Sequence, residues 1–372
     1  MSKLTKYKFS DLYEMSSGIS SSKEQAGHGS PFISFSTVFN NYFLPEELPD
    51  LMDTSLKEQE IFSVKKDDVF ITRTSETVDA LAMSCVAVKD YTKATFSGFV
   101  KRLRPKTTGI VYSKYIAFFL RSKYFRKVLD CNTIMTLRAS FNEDMFSFLY
   151  LYLPDYEEQV RIGDLLYKME IKIRTNNKIN DNLAAMAYDI YMHTFFSKKP
   201  NAKLKDILTE AEKSSIQVGE AKISNGKYPF FTSGSTILKW NEPFVDGRNC
   251  FLNTGGNADV KFYVGKAAYS TDTWSVSAKS EMSYYLYLML FSIRPELDQK
   301  FFQGTGLKHL QKPLLKDRPI YVPEKMELEA FNRQVMPMFD IISENTRENQ
   351  QLTSLRDWLL PMLMNGQATI SD

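Results

Sequence analysis

Few residues in this chain have the types and spacing that covalent chemistry requires. Asn241-Glu242-Pro243-Phe244 comes close to a loop that methylates adenine, but such a loop needs a second proline where Glu242 stands. Gly304 and Gly306 precede Lys308, whereas a phosphate-binding loop ends in Gly-Lys-Ser or Gly-Lys-Thr. Neither stretch therefore predicts methyl transfer or nucleotide hydrolysis by this chain.

The histidines and cysteines are too dispersed to indicate a metal site or a catalytic triad. No group of carboxylates has the spacing typical of a nuclease. We therefore expect no active site and no bound metal, and we expect the cysteines to be buried, reduced thiols rather than disulfides. The residues concerned are His28, His193, His309, Cys85, Cys131 and Cys250.

Basic residues, in contrast, are concentrated in one segment. The net charge is +3, but residues 89–138 hold 12 Lys and Arg and, as acids, only Asp90 and Asp130. A patch of this density attracts polyanions such as nucleic acid, and a solvated basic face is an equally favoured alternative. Residues 155–196 and 323–372 carry more acidic than basic residues. The charge pattern therefore separates basic domains from acidic connecting segments.

Side chains of two kinds would contact DNA directly. Lys and Arg suit phosphates, whereas Arg, Asn, Gln, Ser and Thr on loops suit the edges of bases. Each basic candidate could equally be a solvated surface charge, and Gly255-Gly256 could simply shape a turn. The candidates are Arg73, Thr74, Lys101, Arg102, Arg104 and Arg138 in the first half of the chain, and Ser233, Asn253, Asn257, Thr271, Lys308 and His309 in the second half.

Two long helices that could position these residues are predicted by a pattern that the chain contains twice. Residues recur at alternating spacings of four and three, which is the seam of a coiled coil. The second copy follows at an offset of 169 residues, and Leu151-Tyr152-Leu153-Pro154 recurs as Ile320-Tyr321-Val322-Pro323 at the same offset. The chain therefore contains one unit twice. The seam residues are Ile162, Leu166, Met169, Ile173, Asn176, Asn180 and Leu183, then Phe331, Val335, Met338, Ile342, Asn345, Asn349 and Leu352.

Several residues predict where these helices begin, end or change direction. Asp155, directly after Pro154, is a suitable N-cap, and Gly366 is a suitable stop. Pro337 predicts a kink in the second helix or a late start of it. Arg356 stands at a seam position where the first copy has Ala187, so it either extends to solvent or binds a partner.

A mixed α/β domain precedes each helix. In the first domain, Val69-Phe70-Ile71-Thr72, Cys85-Val86-Ala87-Val88 and Phe99-Val100 predict strands, and residues 115–129 predict one helix. In the second domain, residues 251–257 repeat the core pattern of residues 70–76 with a different polar tip. We predict an α+β protein with domains at residues 1–153 and 198–322, and spacer helices at residues 154–197 and 323–372.

The order domain, helix, domain, helix favours an antiparallel coiled coil with pseudo-twofold symmetry. The central asparagines would then face each other and set the alignment, whereas on loosely paired helices they would be exposed to solvent. A basic domain beside each end of a rigid acidic spacer suits duplex DNA, because each domain could read one half of a split site.

Composition excludes other classes of protein. With 372 residues, of which 43% are hydrophobic, the chain can form two or more domains with ordinary cores. No apolar run approaches the roughly 20 residues that span a bilayer, and the start of the chain lacks the apolar core of a secretory signal. We therefore expect a cytoplasmic protein.

Short runs of residues, taken in order, resemble one known family over essentially the whole chain. They are Leu153-Pro154 through Glu157-Glu158-Gln159, Asn176-Asn177-Lys178-Ile179-Asn180-Asp181-Asn182-Leu183, Tyr228-Pro229-Phe230-Phe231, Thr254-Gly255-Gly256-Asn257, Tyr269-Ser270-Thr271-Asp272, Gly304-Thr305-Gly306-Leu307-Lys308-His309-Leu310 and Leu355-Arg356-Asp357-Trp358-Leu359-Leu360-Pro361. The family is the DNA-specificity subunit of type I restriction–modification systems. The first domain departs most, since Arg73-Thr74-Ser75 stands where a glycine pair is usual.

This resemblance implies a noncatalytic scaffold in which two target-recognition domains alternate with two spacer helices. Its implied partners are double-stranded DNA, two modification (methyltransferase) subunits and restriction (translocase and endonuclease) subunits. S-adenosylmethionine, ATP and Mg would be bound by those partner subunits, and no cofactor by this chain. The expected product is methylated adenine at a split, asymmetric site.

Two other functions remain to be weighed. A coiled-coil assembly protein could use its globular domains to bind proteins instead of DNA, although the basic segment at residues 89–138 argues against this. An inhibitor that mimics DNA would need a strongly acidic surface, which this chain lacks. Salt-dependent binding to duplex DNA separates the first alternative from a DNA-reading scaffold.

Overall fold

The computed structural model describes residues 3–75, 77, 80–132, 139–304, 306 and 308–370. The chain divides into two compact units. The first unit comprises Met1–Ile171 and Leu352–Asp372, and the second unit comprises Lys172–Gln351. Each unit combines a mixed domain of helices and strands with a part of each of two long helices, which confirms the predicted fold class.

The regular elements of the described residues are mostly short, apart from two helices. The strands of the first unit are β1 Thr5–Lys8, β2 Tyr13–Ser17, β3 Ala26–Ile33, β4 Asp50–Met52, β5 Val69–Thr72, β6 Thr74–Ser75, β7 Ser84–Val86, β8 Thr95–Phe96, β9 Val100–Pro105, β10 Ala139–Ser140 and β11 Tyr150–Leu153. Those of the second unit are β12 Ala202–Lys203, β13 Leu208–Glu210, β14 Tyr228–Phe231, β15 Leu238–Trp240, β16 Arg248–Asn253, β17 Val260–Val264, β18 Ala268–Tyr269, β19 Thr273–Ala278, β20 Phe302–Gln303, β21 His309–Leu310 and β22 Pro319–Ile320. The α-helices are α1 Phe9–Leu12, α2 Phe35–Asn40, α3 Leu56–Ile61, α4 Ser113–Phe119, α5 Lys123–Asn132, α6 Glu143–Phe148, α7 Tyr156–Thr194, α8 Leu204–Ile207, α9 Val218–Ile223, α10 Ser283–Ser292, α11 Arg294–Glu296, α12 Lys312–Lys316 and α13 Lys325–Met364.

The two units share one sheet topology. The main sheet of the first unit has the strand order β2-β9-β5-β7, and that of the second unit has the order β13-β19-β16-β17. A three-stranded sheet accompanies each, in the order β4-β3-β8 in the first unit and β15-β14-β18 in the second. In both of these sheets the middle strand pairs antiparallel with one neighbour and parallel with the other. The internal duplication of the sequence is thus a duplication of structure.

A short aromatic helix behind the main sheet provides much of each core. In α4, Tyr115, Phe118 and Phe119 are fully buried. In α10, every residue from 283 to 290 is buried. A helix that is apolar on all sides has no face for solvent, and therefore must lie inside its domain.

Residues 115–129 do not form the single helix that the sequence predicts. The helix breaks between α4 and α5, where the Ser122 hydroxyl accepts a hydrogen bond from the Phe125 amide at 3.2 Å and so caps α5. The half-buried Arg121 donates through its guanidinium to the carbonyl oxygens of Val38, Phe39 and Asn41 at this break. These distant partners favour the break, and spacing of apolar residues alone cannot show them.

The structure confirms some of the predicted strands and buried cysteines and contradicts others. The strand over residues 69–72 is confirmed, and residues 85–88 correspond to β7, which begins and ends earlier. Cys85 and Cys250 are buried free thiols, but Cys131 is exposed, so the prediction that all three cysteines are buried is wrong. Cys131 lies in the last turn of the amphipathic α5, on its exposed face.

The two long helices have well-defined ends. The Asp155 carboxylate accepts a hydrogen bond from the Glu158 amide at 2.8 Å, which confirms it as the N-cap of α7. Helix α13 begins at Lys325 and continues through Pro337, so a late start at that proline is wrong. Buried Phe331 and Val335 anchor its first turns to the core of the second unit. Gly366 follows the helix with φ of 71°, as expected for a glycine stop.

Within each unit, α7 and α13 pair antiparallel. In the second unit, the Asn176 side-chain amide donates to Asn349 at 2.9 Å and to Glu348 at 2.7 Å, and Asn345 donates to Asn180 at 2.8 Å. The central asparagines therefore face each other, as the seam predicts. All of the predicted seam residues are buried or half-buried.

In the first unit, buried Ile162 and Leu166 of α7 share a core cluster with Leu363 and Met364 of α13. Arg356, the seam position that breaks the repeat, forms an ion pair with Glu170 at 3.1 Å. Its guanidinium also lies over the ring of Tyr42 at 5.1 Å. Arg356 thus packs inside its own unit instead of extending to solvent.

Candidate nucleic-acid interface

Arg73 and Thr74 directly follow β5, the third strand of the first main sheet. The Arg73 side chain is exposed and that of Thr74 is half-buried. The Arg73 amide donates to the Phe99 carbonyl at 2.9 Å, and the Arg73 carbonyl accepts from the Phe141 amide at 2.8 Å. Thr74 then pairs with Ser140 in the small ladder of β6 and β10. Main-chain bonds on both sides therefore present the exposed Arg73 side chain at the tip of the sheet.

The three basic candidates on β9 have partners inside the first unit. Lys101 is 7% exposed, and its amino group donates to the Ser17 hydroxyl at 2.9 Å. Arg104 donates to both oxygens of the buried Asp68, at 2.7 and 2.6 Å, and this hydrogen bond raises the pKa of Arg104. Arg102 donates to the Ser63 carbonyl at 2.6 Å, and burial lowers its pKa. These side chains stabilise the sheet, and their contact with DNA stays a prediction.

The same holds for part of the basic segment that follows. Arg121, which lies between α4 and α5, donates to main-chain oxygens of residues 38–41. Arg126 donates to the carbonyl oxygens of Leu81, Ala82 and Leu120. Arg138 lies outside the described residues. The concentration of Lys and Arg at residues 89–138 therefore overstates the charge available to a polyanion, because several of these cations hold the domain together.

The corresponding tip of the second unit is more polar. Asn253, at the end of β16, is 3% exposed, and its amide donates at 3.0 Å to the carbonyls of Ser233 and Asn257. The Ser233 hydroxyl donates to the Asp272 carbonyl at 2.8 Å. Asn257 is exposed beyond them. Asn253 thus organises the loops, and Asn257 is the member of this group that faces solvent.

Thr271 and His309, 38 residues apart in the chain, line one cleft of about 420 Å³. Thr254 and Asp272 line it as well, with Lys312 and Trp274 at its wall. The Lys312 amino group lies over the Trp274 ring at 4.9 Å, and burial lowers its pKa. The exposed Lys308 is beside the cleft residue His309 and pairs with Asp298 at 3.5 Å. The structure therefore brings Thr271, Lys308 and His309 to one place, with hydrogen-bond donors and acceptors around a concave surface.

Phe99 and Asp272 are not among the candidates for DNA contact that were predicted from the sequence. Each lies in the turn that directly precedes the second strand of its main sheet, β9 or β19. Phe99 is 65% exposed, and Asp272 is exposed at the rim of the cleft. The sequence placed Phe99 in a strand, where an apolar residue suggests burial. An alignment of the two copies through their strand ends would have matched these two residues.

A metal site and a membrane-spanning helix each place requirements on the described residues. Among the described residues, no three His, Cys, Asp or Glu side chains are grouped so that they could hold a metal ion. No helix in the described part of the chain combines the length and the apolar character that crossing a membrane requires.

Comparison with known proteins agrees with this architecture. Residues 1–185 and 198–354 match the family described as type I restriction modification DNA specificity domain. The chain is 20% identical to the type I restriction enzyme MjaIX specificity subunit of Methanocaldococcus jannaschii, over 98% of this chain and 93% of that protein. It is 22% identical to the HindI specificity subunit of Haemophilus influenzae, over 90% and 94%. The S subunit of a type I system from M. genitalium has the same fold, with a TM-score of 0.64 and 13% identity over 97% of this chain and 96% of that one. The chain therefore belongs to the family of type I restriction–modification DNA specificity subunits, whose task is sequence-specific recognition of DNA.

Proposed function

We propose that this chain is the noncatalytic subunit that gives a type I restriction–modification enzyme its target sequence, with each of its two units reading one half of a split site. The observation that supports this most is the repeated domain. The main sheets share one strand order, while the side chains at their tips differ, with Arg73 and Phe99 in one and Thr254 and Asp272 in the other. Two dissimilar readers on one framework suit an asymmetric target in duplex DNA.

The two long helices suit the binding of partner subunits. Trp358 of α13 is 65% exposed, and Leu355, one turn before it, is 43% exposed. An exposed tryptophan on a rigid helix is a typical anchor of a protein interface. We infer that two modification subunits bind these helices and bring S-adenosylmethionine, and that restriction subunits bring ATP and Mg. Because such a complex would act on the DNA of the cell, we expect it in the cytoplasm.

Methylation mapping tests the proposal in cells that carry the chain with its modification subunit, compared with cells that lack the chain. We expect methylated adenines at a split, asymmetric sequence that disappear without the chain. Binding of the purified chain to duplex DNA should weaken steeply with salt, since released counterions drive such binding.

The alternative, an assembly protein whose domains bind proteins, predicts a different result. Methylation would then be unchanged without the chain, and duplex binding would be weak at all salt concentrations. The ion pairs of Lys101 and Arg104 favour this alternative slightly, because they remove cations from the surface.

A further inference from the structure

The tips of the two main sheets contain the same turn, held by the same main-chain bonds. Residues 97–100 form the first tip turn and residues 270–273 the second. In the first, the Val100 amide donates to the Ser97 carbonyl at 2.9 Å, and in the second, the Thr273 amide donates to the Ser270 carbonyl at 3.1 Å. In each unit, the residue that follows the third strand of the main sheet, β5 or β16, also donates its amide to the turn. The Arg73 amide donates to the Phe99 carbonyl at 2.9 Å, and the Thr254 amide donates to the Asp272 carbonyl at 3.0 Å.

The match extends to the rest of each turn's surroundings. The Ser97 amide donates to the Ile33 carbonyl at 3.0 Å, and the Gly98 amide donates to the Ile19 carbonyl at 2.7 Å. The amides of Ser270 and Thr271 donate to Phe231 and Ile216, both at 2.9 Å. The carbonyls of Arg73 and Thr254 accept from Phe141 and Leu310, at 2.8 and 3.0 Å. Each backbone position of one tip therefore has a counterpart in the other.

Main-chain atoms make these bonds, so the side chains at the third turn position and at the strand end take no part in them. Yet those side chains are distinctive. Phe99 is 65% exposed at the tip of the first main sheet, so its ring is available to an apolar group of a ligand. Asp272, its counterpart, places a carboxylate at the rim of the cleft, where it would repel phosphates. Such residues suit the edges of bases better than the DNA backbone.

We propose that two pairs of residues read bases, namely Arg73 with Phe99 and Thr254 with Asp272. This inference rests on the proposed function. Phe99 contacts the methyl group of a thymine, and Arg73 donates to the acceptor edge of a guanine. Asp272 accepts from the amino group of a cytosine, with Thr254 beside it. Apolar side chains, arginine and carboxylates recognise these three groups in the major groove. The first unit therefore selects thymine and guanine in its half-site, and the second unit selects cytosine in the other.

The test compares methylation maps of the full chain with its modification subunit for wild type, Phe99→Ala and Asp272→Asn. Phe99→Ala should relax one thymine position by about fourfold, as loss of one methyl contact implies. Asp272→Asn should relax one cytosine position in the other half by about tenfold. Phe148→Ala and Glu242→Gln are the matched controls, because both residues are exposed and lie outside the turns, and they should leave the target unchanged.

A binding experiment isolates the thymine methyl. Replacing the mapped thymine with uracil in the duplex should weaken wild-type binding by about fourfold and leave Phe99→Ala binding unaffected. Relaxation of the same half by both variants, or an unchanged target in both with folding intact by thermal unfolding, would overturn the inference while the proposed function stands. If wild type gives neither methylation nor salt-dependent duplex binding, the proposed function fails and this inference falls with it.

Discussion

Some arginines of this protein form buried ion pairs within a domain, whereas others are exposed at its surface, and the residues around each arginine determine which. Arg104 lies against the fully buried Asp68, whereas Arg73 lies at a strand end with its side chain exposed. In the sequence each arginine simply lies at or near the end of an apolar strand pattern, Arg73 after Val69–Thr72 and Arg104 within Val100–Pro105. The acid that pairs with Arg104 is 36 residues away, so only the fold distinguishes the two.

This difference predicts opposite effects of two alanine substitutions. Arg104→Ala leaves the Asp68 carboxylate buried without its partner, so the free energy of unfolding should fall by about 3 kcal/mol. Arg73→Ala should leave stability unchanged and weaken binding to the specific duplex by about tenfold.

Thermal unfolding and duplex titration of both variants check this pair of outcomes. Lys8→Ala, which removes a half-buried cation from β1, serves as the control for a general loss of charge. If Arg104→Ala unfolds at the wild-type temperature but loses DNA binding, then Arg104 contacts DNA and its bond with Asp68 is secondary.

At the scale of elements, the long helices were predictable because their heptads persist over many turns, and their lead-ins repeat. The break between α4 and α5 was not predictable, because it depends on carbonyl groups of residues 38–41 that bind Arg121. The sheet tips lie between these cases. Strand β5 was clear from its apolar run, but the turn at Phe99 depends on hydrogen bonds to residues far along the chain.

The buried Asn176 in the helix pair predicts a trade between stability and alignment. Asn176 is 1% exposed, and among the described residues its side-chain oxygen has no hydrogen-bond partner. Asn176→Leu gives up the amide bonds to Glu348 and Asn349, but it also removes this unpaired buried oxygen and buries an apolar side chain. We therefore expect a net rise in the melting temperature of the chain, while the helices lose the contact that fixes their register.

Thermal unfolding measures the first effect, and crosslinking between cysteines introduced at positions 180 and 345 measures the second. We expect the variant to form several crosslinked species and wild type to form one. A lower melting temperature in Asn176→Leu would contradict the prediction. Asn182→Leu is the control, since Asn182 is exposed on the same helix.

Acid should weaken the same helix pair through Glu348. Hydrogen bonds from Asn176 and then Lys172 lower the pKa of Glu348 below its ordinary value of 4.5. A carboxyl whose pKa is lowered by folding stabilises the folded state at pH values above its ordinary pKa. This contribution is lost as the pH falls through the lower pKa of the folded state. Glu348→Gln should therefore lower the melting temperature at neutral pH and have no effect in strong acid.

Melting curves of wild type and Glu348→Gln over a series of pH values test this. The difference between the two proteins should shrink as the pH drops below 4.5. A difference that stays constant over the series would mean that the charge of Glu348 contributes nothing to the pairing.

For the whole molecule, the length of the helices should set the gap between the recognised halves. Deleting the facing heptads 174–180 and 345–351 shortens both helices by about 10 Å, or about three base pairs of duplex. We expect the methylated sequence to keep both halves and to lose about three base pairs between them. Methylation mapping measures this gap.

Deleting four residues from each helix is the matched control, because it breaks the heptad seam and should abolish methylation. Replacing residues 198–322 with the same region of a relative should alter one half of the target and leave the other. An unchanged gap after the heptad deletion would mean that something other than these helices sets the distance.

The main-chain bonds that hold both tip turns also bear on how such proteins change. Since the side chains at positions 73, 99, 254 and 272 take no part in these bonds, we expect substitutions there to carry little penalty in stability. With the base-reading role proposed for these positions, new target sequences would arise by single substitutions that each leave the fold intact. Randomising these four codons together should accordingly yield a library rich in stable variants with altered preferences, from which selection could recover enzymes that protect chosen genomes.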